Sequence, residues 1–469
     1  MTTVVLRAPL RDLAGGQAEV EAEGTTVVEV LRSLGSARPA LAGWILDERG
    51  RVREHLALFV NGERADAEAP VGPGDRIHVL PSISGGAGGA RGEAGRASDR
   101  GGRASDRGGR ASGDADAVEL LVGTRKGLVV LRGPRDGEME VAARAFAGTP
   151  VEYAIRDRRT GTYLASVTSA RYGPRVHLAD DPAAGWEPAS GPAFPAEADA
   201  AVERVWTIEP GEEEGVVFAG VAPAALFRSE DGGRSWALVP GLWDQPTRAA
   251  WQPGAGGLCL HSVATWPGDP SRLAVGISAA GVWLTEDGGE TWRRGNRGLV
   301  ARYLPEEARE SAVDLCVHDL QRSPVEPTRL YLQFHGGVYR SDDAGETWEE
   351  IGGGLPSDFG FPIVVDPRDP ARAFVIPLVA DEDRVTPGGR VRVYGTADRG
   401  ATWEALADGL PQRDAYLTVL RKAFCHDGRD PLGLYFGATS GEVFGSADGG
   451  RTWRTLARRL PPVLSVRAA

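Results

Sequence analysis

The chain has 469 residues and a formal net charge of −12, and this acidic excess argues against a nucleic-acid partner held by phosphate contacts. No run of 18 apolar residues occurs, so the sequence predicts no membrane span and no membrane partner. Three cysteines, no charged-then-apolar leader and 64 glycines predict a cytoplasmic protein of short strands and many turns.

Residues 1–86 have the pattern of a small α+β domain. Thr26 and Glu29 form a capping box, which opens a helix with Val27, Val30 and Leu31 on its apolar face. Four strands are predicted, at residues 2–8, 17–23, 56–60 and 76–80. The order strand, strand, helix, strand, strand predicts a β-grasp fold, the fold of ubiquitin.

The end of this domain carries a more specific pattern. Phe59-Val-Asn61-Gly-Glu63 is followed by Pro73-Gly-Asp75 and then by Ser82-Ile-Ser84-Gly85-Gly86. With Leu10-Arg-Asp-Leu-Ala-Gly15 near the start, these segments resemble the MoaD/ThiS family of ubiquitin-like sulfur carriers over residues 2–86. The resemblance implies that an adenylating enzyme of the ubiquitin-activating type acts on the last glycine, which then becomes a thiocarboxylate.

Gly86 is followed by Ala87 and a further 382 residues, so its carboxyl group is in a peptide bond. Use as a carrier therefore requires a processing protease that cuts after Gly86. The alternative is a docking domain whose Gly85-Gly86 tail has no chemical role. Residues 87–116 repeat Arg-Ala-Ser-Asp-Arg-Gly-Gly, contain no apolar side chain larger than Ala, and are predicted to be a flexible linker.

Residues 117–469 contain an eight-residue pattern, S/T-x-D-x-G-x-T/S-W, that recurs at intervals of 50 to 56 residues. A fixed period of this size is typical of repeat architectures. In each copy the Asp carboxylate is suited to accept backbone N–H groups of a tight turn, and the Trp is large enough to fill a gap between sheets. The aspartates of the five copies are Asp231, Asp287, Asp343, Asp398 and Asp448.

This pattern resembles the Asp box, or BNR repeat, of sialidase-like β-propellers. The resemblance implies that the five aspartates are structural and lie away from the face that binds ligands. Degenerate copies at Asp136 and Asp181 raise the number of blades to seven. The predicted fold class is mainly β: a seven-bladed Asp-box β-propeller preceded by a small α+β β-grasp domain.

The innermost strand of each blade is also predicted from the sequence. The last of these strands has no blade of its own, so we expect it to close the first blade beside the strand near Leu120. The predicted inner strands are residues 151–156, 204–209, 258–263, 313–319, 361–366, 416–421 and 462–467.

Two long loops, residues 241–257 and 296–311, are predicted on the face opposite the Asp boxes. Long loops on a rigid scaffold often carry function, so we expect a small-molecule or glycan-like ligand there. A rim with incidental charges and a platform for protein partners are the alternatives. The predicted ligand-binding residues are Arg125, Lys126, Arg171, Arg175, Trp243, Trp251, His335, Glu382 and Arg384.

The resemblance to bacterial propellers labelled as glycosyl hydrolases makes an exo-sialidase-like glycosidase the second hypothesis. Tyr303 with Glu306 or Glu307 is the candidate catalytic pair. The Phe/Tyr-Arg-Ile-Pro motif of sialidases is absent, which disfavours sialidase activity.

Two Cys-x-His pairs, Cys259 with His261 and Cys316 with His318, occupy equivalent places on adjacent inner strands. Equivalent faces of successive blades are separated by a sheet, so we expect the pairs not to converge. The sequence therefore predicts no metal site and no cofactor.

Overall fold

A computed structural model describes residues 1–6, 10–41, 43–53, 56–81, 117–251, 253, 257–302, 315–380 and 383–469. Most of the regular structure in these ranges is β-strand. Within them, no helix combines the length and the apolar character needed to cross a bilayer. The predicted linker and the Gly85-Gly86 tail lie outside the described residues.

The first domain is a five-stranded sheet in the order β2-β1-β5-β3-β4, with β1 parallel to β5. The predicted strands and helix are confirmed, and α1 and β4 are additional elements. The bounds are β1 Thr2–Val5, α1 Leu10–Leu13, β2 Glu19–Ala22, α2 Val27–Ala37, β3 Leu56–Val60, β4 Glu63–Ala65 and β5 Arg76–Pro81.

Helix α2 begins at the predicted capping box. The Oγ1 atom of Thr26 accepts the backbone N–H of Glu29 at 3.4 Å. The Glu29 carboxylate in turn accepts the backbone N–H of Thr25 at 2.9 Å. These bonds satisfy N–H groups that have no partner within the helix. The apolar face of α2, including Val27 and Leu34, is fully buried against the sheet.

From residue 117 onward, the described chain forms seven four-stranded antiparallel sheets. The first contains β6 Ala117–Thr124, β7 Gly127–Pro134 and β8 Glu140–Ala145. The second contains β9 Val151–Arg156, β10 Tyr163–Ser169, β11 Gly173–Ala179 and β12 Glu187–Pro188. The third contains β13 Arg204–Pro210, β14 Val217–Ala222, β15 Ala225–Ser229 and β16 Ala237–Leu238, which α3 Pro240–Trp243 follows.

The remaining sheets follow in chain order. The fourth contains β17 Cys259–Trp266, β18 Asp269–Ser278, β19 Gly281–Thr285 and β20 Arg293–Arg294. The fifth contains β21 Val317–Arg322, β22 Leu330–Phe334, β23 Gly337–Ser341 and β24 Glu349–Glu350. The sixth contains β25 Gly360–Val365, β26 Ala373–Pro377, β27 Val393–Thr396 and β28 Glu404–Leu406. The seventh contains β29 Phe424–His426, β30 Leu434–Gly437, β31 Val443–Ser446 and β32 Arg454–Ala457.

One predicted inner strand is wrong. The first strand of the seventh sheet is β29 and not residues 416–421. The earlier segment pairs with a loop of the preceding sheet: Thr386 donates its N–H to the Leu417 carbonyl at 3.0 Å, and Thr418 donates its hydroxyl to the Arg384 carbonyl at 2.9 Å. Because that loop supplies partners for backbone groups of this segment, the segment does not need a place in the sheet.

The five predicted turns all connect the third and fourth strands of their sheets. In the turn at Asp231, the Ser235 N–H and hydroxyl donate to the two carboxylate oxygens at 2.8 and 2.6 Å. Ser229 accepts the Gly233 N–H at 2.8 Å, where φ is +91° and a residue without Cβ is favoured. The other four turns repeat these bonds. In two of them a threonine hydroxyl donates to the Asp carboxylate and lowers its pKa to about 2: Thr291 acts on Asp287, and Thr402 acts on Asp398.

The last strand of the chain, β33 Val463–Ala468, lies beside β6 and completes the first sheet in the order β33-β6-β7-β8. Val466 is fully buried opposite Val122. Arg467 donates its Nε–H to the hydroxyl of Tyr153 on β9 at 2.7 Å. The C-terminal strand thereby joins the first, second and seventh sheets, since Val466 also donates its N–H to the Lys422 carbonyl at 2.9 Å.

Deleting residues 462–469 removes β33 and exposes the edge of β6, so we expect a lower melting temperature or aggregation. Removal of Ala469 alone is the control, because it takes away one backbone bond, to the Glu119 carbonyl, and leaves β33 intact. Differential scanning calorimetry of the two truncated proteins checks the prediction. Equal melting temperatures for both proteins would contradict it.

Candidate functional site

A cavity of about 390 Å³ lies where the first strands of several sheets begin. Its polar lining comes from the first three sheets and from the segment that precedes β29, so the cavity exists only when the sheets are assembled. The side chains that give it its chemistry are Arg125, Glu152, Arg204, Trp206, Arg421 and Lys422.

The cavity lining has more positive than negative groups. Glu152 pairs with Arg204, with 3.4 Å between the carboxylate oxygen and Nε. Burial raises the pKa of Glu152, and the charges of Arg204 and Arg125 oppose this rise. Within the described lining, Glu152 is the one carboxylate beside three arginines and a lysine. The balance favours an anionic ligand.

Two guanidinium groups lie over the Trp206 ring. The Cζ atom of Arg204 is 4.8 Å from its ring centroid, and that of Arg421 is 5.7 Å away. The Nε of Arg421 and the Nε1 of Trp206 are buried, and neither has a hydrogen-bond partner among the described residues. Buried donors without partners are costly. A ligand that carries acceptor oxygens would satisfy them.

Lys422 is neutralised on the inner side of the cavity. Its Nζ is 3.0 Å from Asp319 Oδ1, and both side chains are almost fully buried. Ser262 donates its hydroxyl to the same oxygen at 3.1 Å. Lys422 also lines a second cavity, of about 230 Å³, together with Tyr153 and Arg467. Lys422 therefore borders both cavities, and Asp319 holds it there.

The first domain contacts the second sheet beside the 390 Å³ cavity. The rings of Trp44 and Tyr172 lie 5.0 Å apart, and Tyr172 belongs to the hydrophobic core of the first domain. Arg49 donates to the Asp199 carbonyl at 2.7 Å. A cleft of about 500 Å³ lies at this junction, and Thr168 and Ala170 line both the cleft and the 390 Å³ cavity.

The structure places the predicted basic residues in different surroundings. Arg125 lines the cavity. Its neighbour Lys126 is exposed to solvent and is not among the described residues that line the cavity. Arg171 lines the cleft between the domains. Arg175 is buried against Trp44, with Cζ 5.1 Å from the ring, and burial lowers its pKa to about 10. Arg384 lies over the Phe361 ring at 5.9 Å.

The two predicted tryptophans pack against protein side chains. Trp243 is 4.6 Å from Phe194 between ring centroids, and the Cζ of Arg248 is 4.1 Å from the Trp243 ring. Trp251 is 4% exposed and packs on Trp283 at 5.3 Å. The contacts of Trp251 thus belong to the core between the third and fourth sheets.

Several predicted residues lie outside the described part of the chain: Tyr303, Glu306, Glu307, Glu382, Gly85 and Gly86. Their roles stay predictions. Five of the six side chains that give the cavity its chemistry were not predicted, because the predicted site residues were taken from loops and turns: Glu152, Arg204, Trp206, Arg421 and Lys422. A usable signal was present, since Glu152 and Arg204 are the second and first residues of their inner strands.

The two Cys-x-His pairs do not form one cluster. His261 Nε2 is 2.8 Å from the Val317 carbonyl, and its Nδ1 is 3.1 Å from the Ser262 hydroxyl. Cys316 and His318 are instead grouped with His335, and the three potential ligand atoms lie within 4.8 Å of one another. The sequence analysis had placed His335 with the ligand-binding residues.

Residues 4–86 match the ThiS family. They are 32% identical over 83 residues to small archaeal modifier protein 1 of Haloferax volcanii, which covers 95% of that protein and 17% of this chain. This chain belongs to the ThiS family. As ThiS-like domains do in general, its first domain has a ubiquitin-like fold, here seen as the five-stranded sheet with α2 packed on it.

The rest of this ThiS-family chain is similar to glycoside-hydrolase propellers. It is 25% identical over 225 residues to the oligoxyloglucan-reducing end-specific xyloglucanase of Emericella nidulans, which is 40% of this chain and 25% of that protein. The GH74 enzyme of Niastella koreensis has a TM-score of 0.49 and 14% identity, and the match covers 72% of this chain and 55% of that one. The chain spans only a quarter of the xyloglucanase. It fuses a ThiS-like domain to a propeller domain.

Replacing Asp319 by Ala leaves the buried Lys422 ammonium without its partner, and we expect a loss of about 3–5 kcal/mol in the free energy of unfolding. The double substitution Asp319→Ala with Lys422→Met removes both charges, so it should recover much of that loss. Urea unfolding of the wild type, both single variants and the double variant measures the coupling. Additive effects of the two single substitutions would contradict the pairing.

Proposed function

We propose that this protein is a ThiS-type carrier domain, residues 1–86, tethered by residues 87–116 to a seven-bladed Asp-box propeller, residues 117–469, which binds a small organic anion. Seven successive four-stranded sheets support the number of blades. The shared turn geometry supports the Asp-box assignment and a structural role for its aspartates. The proposed location is the cytoplasm, where the ATP required by an adenylating enzyme is available.

The observation that carries the anion proposal is the lining of the 390 Å³ cavity. Its volume is within the usual range for small-molecule sites. Arg125, Arg204 and Arg421 offer planar hydrogen-bond donors that match a carboxylate or phosphate, and Trp206 offers an aromatic face. This combination suits a ring compound with an acidic group, such as a uronic acid.

A glycosidase is the second candidate, and the similarity to the xyloglucanase favours it. Acid–base cleavage of a glycosidic bond needs two carboxyl groups placed on either side of the bond. In the described part of the cavity lining, Glu152 alone has a carboxylate, and Arg204 neutralises it. The predicted Tyr303, Glu306 and Glu307 would have to supply the rest. The anion-binding function therefore ranks first.

Arg421→Gln should weaken binding of glucuronate to the full-length protein by about tenfold or more, because a hydrogen bond to a charged group is lost. Glucose, which lacks the carboxylate, is the matched uncharged probe and should bind weakly to both proteins. Isothermal titration calorimetry measures the affinities, with inorganic phosphate as a second anionic probe.

Lys126→Gln is the control variant, because Lys126 has the same charge and is exposed outside the described lining. It should bind the anions as the wild type does. The anion proposal fails if neither glucuronate nor phosphate binds the wild type, or if both variants lose affinity equally. Release of reducing sugar from xyloglucan oligosaccharides would instead support the glycosidase.

The proposed partners of the first domain are an adenylating enzyme of the ubiquitin-activating type and a processing protease. Membership of the ThiS family supports the first partner, because ThiS-like domains usually work with such enzymes. The position of Gly86 inside the chain requires the second. A segment of polar residues and glycines after the tail, such as residues 87–116, is a favourable place for proteolysis.

Gly86→Ala should block formation of the thiocarboxylate, because an added methyl group does not fit a channel shaped for glycine. In native cells the wild type should yield a first domain ending at Gly86, with its mass raised by the difference between sulfur and oxygen. Immunoprecipitation followed by intact mass spectrometry detects both changes. Gly89→Ala lies beyond the proposed cut and is the matched control.

A single full-length species at every growth stage, unchanged by Gly86→Ala, would contradict the carrier proposal. It would favour the alternative in which the first domain only docks. The anion-binding test is independent of this result, since it uses residues of the propeller alone.

A further inference from the structure

Three potential metal ligands converge on the fifth sheet. Cys316 directly precedes β21, His318 is the second residue of β21, and His335 follows β22. His335 donates its backbone N–H to the Cys316 carbonyl at 3.0 Å, which fixes the two chain segments side by side. Residues 316 and 318 are two positions apart along an extended strand, so their side chains lie on the same face. The sulfur and the two ring nitrogens consequently lie within 4.8 Å of one another.

The hydrogen bonding of His318 prepares it to bind a metal. Its Nδ1 is 2.6 Å from the Gly360 carbonyl oxygen, which accepts and does not donate, so Nδ1 carries the proton. The lone pair is therefore on Nε2, the atom that faces His335 Nδ1 at 3.3 Å. A metal-bound histidine usually donates its other N–H to a carbonyl or carboxylate in this way.

The distances suit a tetrahedral zinc ion. Two nitrogens at about 2.0–2.1 Å from tetrahedral zinc are about 3.3 Å apart. His318 Nε2 and His335 Nδ1 are already 3.3 Å apart, so neither ring has to move for both nitrogens to bind the same zinc ion. Since Zn–S bonds are about 2.3 Å long, sulfur and nitrogen ligands of tetrahedral zinc are about 3.5 Å apart. The Cys316 sulfur, at most 4.8 Å from the ring nitrogens, therefore needs to move by about 1.3 Å at most.

Cys316 and His318 are buried, His335 is half-buried, and aromatic rings surround the histidines. The Phe359 ring centroid is 5.2 Å from both His318 and His335, and that of Phe361 is 5.0 Å from His318. Ser278 Oγ is 3.2 Å from the Cys316 sulfur and supplies a polar neighbour behind it. An apolar shell with a few hydrogen bonds to the ligands is typical of metal sites in proteins.

Two positive charges act against a cation here. The guanidinium groups of Arg384 and Arg421 both interact electrostatically with Cys316. A ligand set of neutral imidazoles alone would not offset them, whereas a cysteine thiolate reduces the charge of a divalent ion by one. Nitrogen and sulfur ligands select zinc over magnesium or calcium, which prefer oxygen.

We propose that Cys316, His318 and His335 bind one zinc ion, with the fourth tetrahedral position open to water or a ligand atom. Arg421 lines the anion cavity, and its Cζ is 5.0 Å from the Phe361 ring, which is itself 5.0 Å from the His318 ring. The zinc site is therefore close to the cavity, although the zinc proposal does not depend on the cavity binding an anion. Without a metal, the 3.3 Å contact is a hydrogen bond from His335 Nδ1–H to His318 Nε2.

The test uses the untagged full-length protein after treatment with a chelator. Titration calorimetry with zinc chloride should show one ion per chain. Cobalt(II) in place of zinc should give a thiolate-to-cobalt absorption band in the near ultraviolet together with the visible bands of tetrahedral cobalt. These spectra report the ligand type directly and do not require knowledge of any activity.

Three variants locate the ion. Cys316→Ser and His335→Gln each remove the ligating atom, and each should lower zinc affinity by at least about tenfold. His335→Gln retains a polar side chain of similar size but has no atom equivalent to Nδ1. Cys259→Ser is the control, because Cys259 is also a buried cysteine on an inner strand and lies outside the ligand group. It should keep wild-type affinity and the cobalt–thiolate band.

The proposal is overturned if the wild type binds no stoichiometric zinc, or if its cobalt complex lacks the thiolate band. Equal zinc affinity in Cys316→Ser and the wild type also overturns it. If the Cys316 variant fails to fold, the cobalt–thiolate bands of the wild type and of Cys259→Ser are compared instead. A band that persists in Cys259→Ser comes from Cys316, because the one other cysteine, Cys425, lies on the seventh sheet away from the two histidines.

Discussion

The pairing of β33 with β6 is the constraint on which the rest of the structure depends. It joins residues more than 300 positions apart, so the strands of the first sheet assemble fully only after the whole chain has been made. Arg467 on β33 then reaches Tyr153, and the neighbouring Val466 bonds to Lys422. Each of these contacts places an inner strand at the common centre. The cavities there consequently depend on a hydrogen-bonded edge far from the turns that identify the fold.

The charges at this centre are arranged by depth. Asp319 neutralises Lys422 where both are buried, and Arg204 is paired with Glu152 nearer the opening. Arg421 instead lies over the rings of Phe361 and Trp206 and has an unpartnered Nε. A buried ion pair contributes little net stability, because the cost of removing both charges from water offsets their attraction. Its value here is positional, since it holds Lys422 at the border of two cavities while the Nε of Arg421 remains available to a ligand.

Local features were predictable from the sequence, and features assembled from several sheets were not. The turn at Asp231 needs only residues 229–236, so its pattern is complete in one stretch of sequence. The same holds for the capping box at Thr26. Residues 416–421 are rich in the apolar and β-branched residues typical of strands, yet the loop around Thr386 supplies hydrogen-bond partners for them, a contact that no local pattern encodes. The cavity is a similar case, because Glu152 and Arg204 come from two different sheets and Arg421 from the segment before β29. The grouping of His335 with Cys316 and His318 was not predictable for the same reason, because strand pairing and not a sequence motif brings the three residues together.

The contact between the two domains changes what proteolysis would achieve. A cut after Gly86 breaks the chain but leaves the Trp44–Tyr172 contact and the bonds between Arg49 and Asp199 in place. Tyr172 is 7% exposed within the core of the first domain, so separation would uncover an aromatic ring on the propeller. Cutting the chain would therefore not by itself remove these contacts. Cleavage and release are then two separate steps. A carrier domain could be processed early and retained beside the cavity, with its Gly86 carboxylate already free, until an adenylating enzyme displaces it.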